Sequence, residues 1–97
     1  MDKGDIVTVI TFNGEFVGRV KSVDPLTLEH PRMIIGTEEG KIGFAKGIAA
    51  SGEIDPSELT INSYTFVTPT NEVVQEGWVT QTGSLVAPKK KKVIVSK

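Results

Sequence analysis

Residues 6–35 read Ile6-Val7-Thr8-Val9-Ile10-Thr11-Phe12-Asn13-Gly14-Glu15-Phe16-Val17-Gly18-Arg19-Val20-Lys21-Ser22-Val23-Asp24-Pro25-Leu26-Thr27-Leu28-Glu29-His30-Pro31-Arg32-Met33-Ile34-Ile35, and this stretch decides the fold. Two β-rich runs flank Asn13-Gly14 and a third follows Asp24-Pro25, which reads as a three-stranded meander. Asn-Gly between β-branched residues is a strong hairpin signal, because a type I′ turn needs positive φ at both centre positions. A turn centred there sets Phe12 opposite Glu15. Val7, Val9 and Thr11 then share an apolar face with Phe16, Gly18 and Val20. The other face carries Ile6, Thr8, Ile10 and Phe12 with Glu15, Val17, Arg19, Lys21 and Val23. That side is mixed, so neither face is expected to be fully solvated.

Gly18 lies mid-strand, where a residue without a side chain costs stability unless the strand bends or another backbone comes close. A bend there curls the sheet, and small curled sheets close into barrels. The expected fold is therefore mainly β: a small, strongly bent five-stranded SH3-like or Sm-like barrel with one short helix. A tolerated surface glycine is the alternative reading of Gly18.

At 97 residues the chain reads as one domain, 1–97, with a modest core that self-association would help to stabilise. It has no cysteine, which excludes disulfides and thiolate metal sites, and no apolar run long enough to span a membrane. A cytoplasmic location is expected. All twelve acids lie at or before Glu76 with six of the eleven basic residues, leaving that body near −6. Lys89, Lys90, Lys91, Lys92 and Lys97 carry the remaining positive charge. Such a body disfavours diffuse phosphate binding, so any nucleic-acid contact must be local.

Beyond the meander, Lys41 to Phe44 is expected to fold back on the third strand, and 45–56, rich in small and turn residues, to be a long flexible loop. Glu58 to Val67 reads as one strand with a bend near Asn62-Ser63, where the apolar side switches from Leu59 and Ile61 to Tyr64 and Phe66. A helix is favoured at 71–82, with capping residues before Glu72 and Gly83 as its stop, although Val73-Val74 and Trp78-Val79 also suit a strand. Val93-Ile94-Val95 reads as a last strand in the lysine-rich segment 89–97. Its lysines either guard a sheet edge or bind phosphate.

Catalytic chemistry is sparse. His30 is the single histidine and has no local carboxylate on its own face, and the serines and glycines lack nucleophile-elbow, P-loop or dinucleotide spacing. No enzyme activity, cofactor or metal is expected.

Val9, Asn13-Gly14, Gly18, apolar Val20 and Asp24 together resemble the first signature motif of the Sm-like proteins (LSm and Hfq), over about a third of the chain. The chain also resembles divergent Sm-like proteins of marine bacteriophages, which implies the host cell's cytoplasm if it is phage-encoded. The resemblance implies a bent barrel whose fourth- and fifth-strand edges pair between subunits, closing a homo-oligomeric ring of about five to seven copies. On that basis Tyr64, Phe66, Val93 and Val95 are the expected subunit interface. It further implies binding of single-stranded RNA without catalysis, in RNA processing or chaperoning. Where the family pattern has an aromatic residue and an asparagine after the aspartate, this chain has Leu26 and Leu28, so stacking and base-edge hydrogen bonding are lost there. Asp24, Thr27, Thr68, Asn71 and Lys89 to Lys92 remain the expected RNA contacts. The alternative is an oligomeric protein-interaction or structural module that has lost RNA binding.

Overall fold

The computed structural model describes residues 1–36 and 39–83. Strands β1 (Ile6–Thr11), β2 (Gly14–Val23), β3 (Leu26–Gly36), β4 (Ile42–Ala45), β5 (Glu58–Ile61) and β6 (Phe66–Pro69) precede helix α1 (Glu72–Thr82). The strands form one antiparallel sheet in the order β4-β3-β2-β1-β6, with β5 also on β3. No described helix is long and apolar enough to cross a membrane.

The hairpin forms, but its turn sits one residue earlier than Asn13-Gly14 predicts. Thr11 pairs with Gly14 and Ile10 with Glu15, leaving Phe12 and Asn13 as the turn, with Phe12 fully exposed at its tip. Neither turn residue has positive φ, so the turn is not type I′. Thr11 explains the displacement. Its Oγ1 accepts from the amides of Asn13 (3.0 Å) and Gly14 (3.1 Å) and lies 3.0 Å from the Gly14 carbonyl, to which it donates. The register moves by two residues, an even step, so the paired side chains up to Val20 keep their predicted face, and Val23, opposite Leu26, changes sides past the irregularity at Lys21.

The sheet is strongly curled, and connectivity requires it. Ile61 is level with Val23 through Leu26, whereas Phe66 is level with Glu15 through Ile10. In a flat sheet these residues would lie four strand spacings apart, about 19 Å, and roughly 26 Å apart along the strands. The five residue steps joining them reach at most about 18 Å. The two ends of the sheet must therefore curl towards each other.

Two irregularities provide the curl. Between Val17↔Arg32 and Arg19↔Glu29, Gly18 stands opposite both His30 and Pro31, while Lys21 is the extra residue between Val20↔Leu28 and Ser22↔Thr27. Such bulges bend a strand and increase its twist. A Cβ on Gly18 would lie 2.9 Å from Leu28 Cβ and 3.0 Å from the Glu29 carbonyl oxygen, so the glycine admits the neighbouring backbone. The close approach of a neighbouring backbone, one of the two reasons for a mid-strand glycine at Gly18, is present, and the extra residue of the irregularity lies on β3.

The concave face holds Val7, Val9, Phe16, Val20, Leu26, Leu28 and Ile61, with Ile48, Leu59 and Val67 packed at its rim. Residues from β5 and β6 meeting in one cluster is the packing signature of a barrel-like sheet. The opposite face is covered by α1. Trp78, fully buried, packs on Ile6 and Val17, with Ile34, Phe44, Val74 and Val79 around it. This helix buries Ile6 and Val17 on the mixed face of the hairpin, while Phe12, Glu15, Lys21 and Val23, all expected on that face, stay exposed.

Helix α1 occupies the predicted position, and its ends show why. Asn71 Oδ1 accepts from the Val74 amide at 2.9 Å, and Gly83, left-handed at φ 72°, donates its amide to the Val79 carbonyl. Gly77 costs the helix about 1 kcal/mol relative to alanine. Its missing Cβ makes room for Phe44, whose Cε2 would otherwise lie 3.0 Å away. Removing the cap with Asn71→Ala is expected to cost about 0.5–2 kcal/mol in chemical denaturation, with the unfolding m-value unchanged.

The segment 58–67 departs from expectation. It is not one bent strand but two, β5 on β3 and β6 on β1, separated by residues 62–65. The curl brings the two partner edges within reach of a short connection. The sheet accordingly has six described strands, not five. Segment 45–56 contributes only Ala45 to a strand and is otherwise irregular. The strand expected at 93–95 lies outside the described residues.

Candidate functional site

β4 and β5 occupy the same edge of β3, Ile42–Ala45 against Met33–Gly36 and Glu58–Ile61 against Leu26–Glu29. The gap between them falls at His30, Pro31 and Arg32. Pro31 has no amide hydrogen and His30 has φ +50°, unusual for a non-glycine residue, so no regular ladder passes this point. Both backbone groups of His30 are nevertheless used. Its amide donates to the Ser57 carbonyl at 2.9 Å, and its carbonyl accepts from Trp78 Nε1 at 2.9 Å. The kink thus ties the 46–57 connection to one side of β3 and α1 to the other. His30, read as a non-catalytic residue, acts here through its backbone.

Arg32, beside the kink, is 3 % exposed. Its Nη1 donates to the Pro31 carbonyl at 3.0 Å and to Asp55 Oδ1 at 3.1 Å. Its Nε is buried without a partner. Asp55, by contrast, is about half exposed. The sequence reading passed over this pair. An arginine between Pro31 and the apolar Met33-Ile34-Ile35 was the available signal, but nothing in the spacing pointed to Asp55, 23 residues on.

The residues expected to bind RNA lie towards one end of the sheet. Asp24 is exposed in the β2–β3 turn, which has a cis Asp24–Pro25 bond. Thr27 is buried, and its hydroxyl bonds Thr60 Oγ1 at 3.1 Å and the Pro25 carbonyl at 3.3 Å. Thr68 is exposed on β6, one residue before Pro69. Asn71 spends its carbonyl oxygen on the helix cap. Thr70 turns inward instead, its hydroxyl 2.8 Å from that of Thr8, which joins the start of α1 to β1. Asp24 and Thr68 are therefore exposed, the Thr68 hydroxyl donating to the Pro69 carbonyl at 3.4 Å, whereas Thr27 and Asn71 serve the fold. Lys89 to Lys92 lie outside the described residues.

Of the expected interface residues, Tyr64 and Phe66 are 42 % and 52 % exposed. Phe66 opens β6 opposite Ile10 of β1, and Tyr64 precedes it by two residues. At the opposite edge of the sheet, Ile42 of β4 and Ile35 of β3 are also exposed. Val93 and Val95 lie outside the described residues. Between β2 and β5, Lys21 pairs with Glu58, whose carboxylate hydrogen bond and charge hold the lysine above its ordinary pKa. Both partners are well solvated, so the pair aligns the strands more than it stabilises them. The guanidinium of Arg19 lies 5.6 Å from the Trp78 ring centroid, within cation–π range. Compared with protein-family models, with curated proteins and with solved structures, the chain gives no match.

Proposed function

We propose that this chain is a non-catalytic Sm-like protein that assembles into a homo-oligomeric ring and binds single-stranded RNA. The observation that carries the reading is that, among the described residues, Tyr64 and Phe66 at β6 and Ile35 and Ile42 at the β3–β4 border expose apolar side chains at opposite borders of a curled sheet. Unpaired strand edges are a template for association, and a head-to-tail contact repeated by rotation closes into a ring. The glycine-directed curl supports the same reading, as does the resemblance carried by Asn13-Gly14, Gly18 and Asp24. The RNA component rests on that resemblance, on exposed Asp24 and Thr68, and on the lysine run. Ring formation would multiply that run by the number of copies.

Light scattering coupled to gel filtration tests the assembly. A single species of about five to seven copies is expected. Tyr64→Lys with Phe66→Lys is expected to reduce it to monomer while keeping the far-ultraviolet spectrum, because like charges are placed on an edge that must pair. A monomeric wild type at all concentrations rejects the reading. Fluorescence anisotropy with oligo-U, oligo-A and mixed strands across a salt series tests RNA binding. Affinity is expected to fall steeply with salt and on replacing Lys89 to Lys92 with glutamine.

The internal engagement of Thr27 and Asn71 favours a second reading, an oligomeric protein-interaction or structural module without RNA. A ring that binds none of these strands at micromolar concentration selects it.

A further inference from the structure

We propose that residues 84–97 of the same chain fold back over the part of the sheet that α1 leaves open, seating the apolar run Val93-Ile94-Val95 on Ile10, Phe12 and Phe66. The inference needs neither the ring nor RNA. Ile10 stands opposite both Glu15 of β2 and Phe66 of β6, so the three share a face, and alternation along β1 puts Ile6 on it as well. That is the face on which α1 packs, around Ile6, Val17, Ile34 and Phe44. Neither Ile10 nor Phe66 belongs to that cluster or to the one on the concave side. Phe12, two residues beyond Ile10, is fully exposed, and Tyr64, two before Phe66, is exposed as well. The chain has six aromatic residues, and the three outside the two clusters all stand at this corner. Single exposed apolar side chains are ordinary, whereas a group of aromatics at one corner marks an interaction surface.

Charge and reach select the occupant. Residues 10–15 and 62–70, which form the corner, contain no lysine or arginine, and Glu15 lies on its face. Through Gly83 the chain carries twelve acids and six basic residues, a charge of −6, whereas 84–97 has five lysines and no acid, a charge of +5. Val93-Ile94-Val95 follows directly on Lys89 to Lys92, so one short run offers both an apolar surface and the opposite charge. Ile94 is eleven residues beyond Gly83, which caps α1, and eleven residues extend about 36–40 Å. The molecule measures 44 × 36 × 24 Å, and α1 already lies on the face concerned, so the corner is within reach. A tether of this length holds the run at an effective concentration on the order of millimolar, which favours the same chain over a second copy.

The chain has no cysteine, so Ser96→Cys gives it a single thiol for a nitroxide spin label in the intact chain. Label-induced broadening of amide resonances is expected at residues 10–15 and 64–66, above that at Ile42 of β4 and Val73 of α1, which are exposed elsewhere. Phe12→Ser and Ile94→Ser are each expected to abolish the difference. Phe12 is fully exposed, so its replacement leaves the fold intact, which the far-ultraviolet spectrum checks. Glu15→Lys is expected to reduce the difference, because a like charge then faces the lysines. Equal broadening at the corner and at Ile42 and Val73 overturns the inference, as does a corner signal that survives both Phe12→Ser and Ile94→Ser.

A mixed sample identifies which chain supplies the segment. Spin-labelled protein without isotope is combined with isotope-labelled protein without spin label, and no broadening is expected at the corner. Broadening there as strong as in the chain that carries both labels assigns the corner to the segment of a neighbouring copy and overturns the intrachain reading. A monomeric protein with corner broadening rejects the ring and supports this inference. A ring in which the corner is broadened no more than Ile42 and Val73 overturns this inference and leaves the proposed function standing.

Discussion

Trp78→Ala is expected to cost about 3–5 kcal/mol, a large share of the 5–15 kcal/mol typical of a small domain. Trp78 is fully buried, the only residue of α1 in that class, and touches both Ile6 of β1 and Val17 of β2. Its removal leaves a cavity between helix and sheet and deprives the His30 carbonyl of its indole donor. The measurement is urea unfolding followed by circular dichroism. Trp78→Phe provides the dissection, since it keeps most of the packing and loses the hydrogen bond, worth about 1 kcal/mol. If Trp78→Ala unfolds within 1 kcal/mol of wild type, α1 is not what covers this face.

Gly18→Ala is expected to destabilise by about 1–3 kcal/mol, and Gly18→Val by more. The added atom meets Leu28 Cβ and the Glu29 carbonyl, neither of which is the free end of a side chain that moves aside. Relief requires β2 and β3 to separate at the bulge that curls the sheet. Gly36→Ala is the control. Nothing lies within 4 Å of the Cβ built there, so it is expected to stay within about 0.5 kcal/mol of wild type. If the proposed ring depends on the curl, Gly18→Val also lowers its mass in light scattering. Comparable effects of alanine at positions 18 and 36 show that no close approach exists at Gly18.

What was legible in the sequence follows from the range of the interactions involved. Strand alternation in Ile6–Thr11 and Gly14–Val23 and the Asn71 and Gly83 caps are decided within a few residues, so they were readable from order alone. The hairpin turn moved because Thr11 competed for the same amides, a local effect that the Asn-Gly signal outweighed in the reading. The broken strand was half visible. The change of apolar side near Asn62 was seen, but assigning Ile61 to β3 and Phe66 to β1 needs the curl of the whole sheet.

The candidate site was less legible. Asp24 and Thr68 are exposed, and Thr27 and Asn71 have structural partners, Thr60 and the Val74 amide, that no spacing in the sequence pointed to.

By itself the sequence determined a β-rich meander that needs a bend at Gly18, a capped helix around Trp78 and an acidic body, because each depends on side-chain period, turn chemistry or charge count. Only the tertiary structure decided that α1 lies across the mixed face of the hairpin, that 58–67 divides between two edges of the sheet, and that Arg32 is buried against Asp55. Those outcomes depend on which distant residues the curled backbone brings within hydrogen-bond reach, and no local pattern encodes that distance.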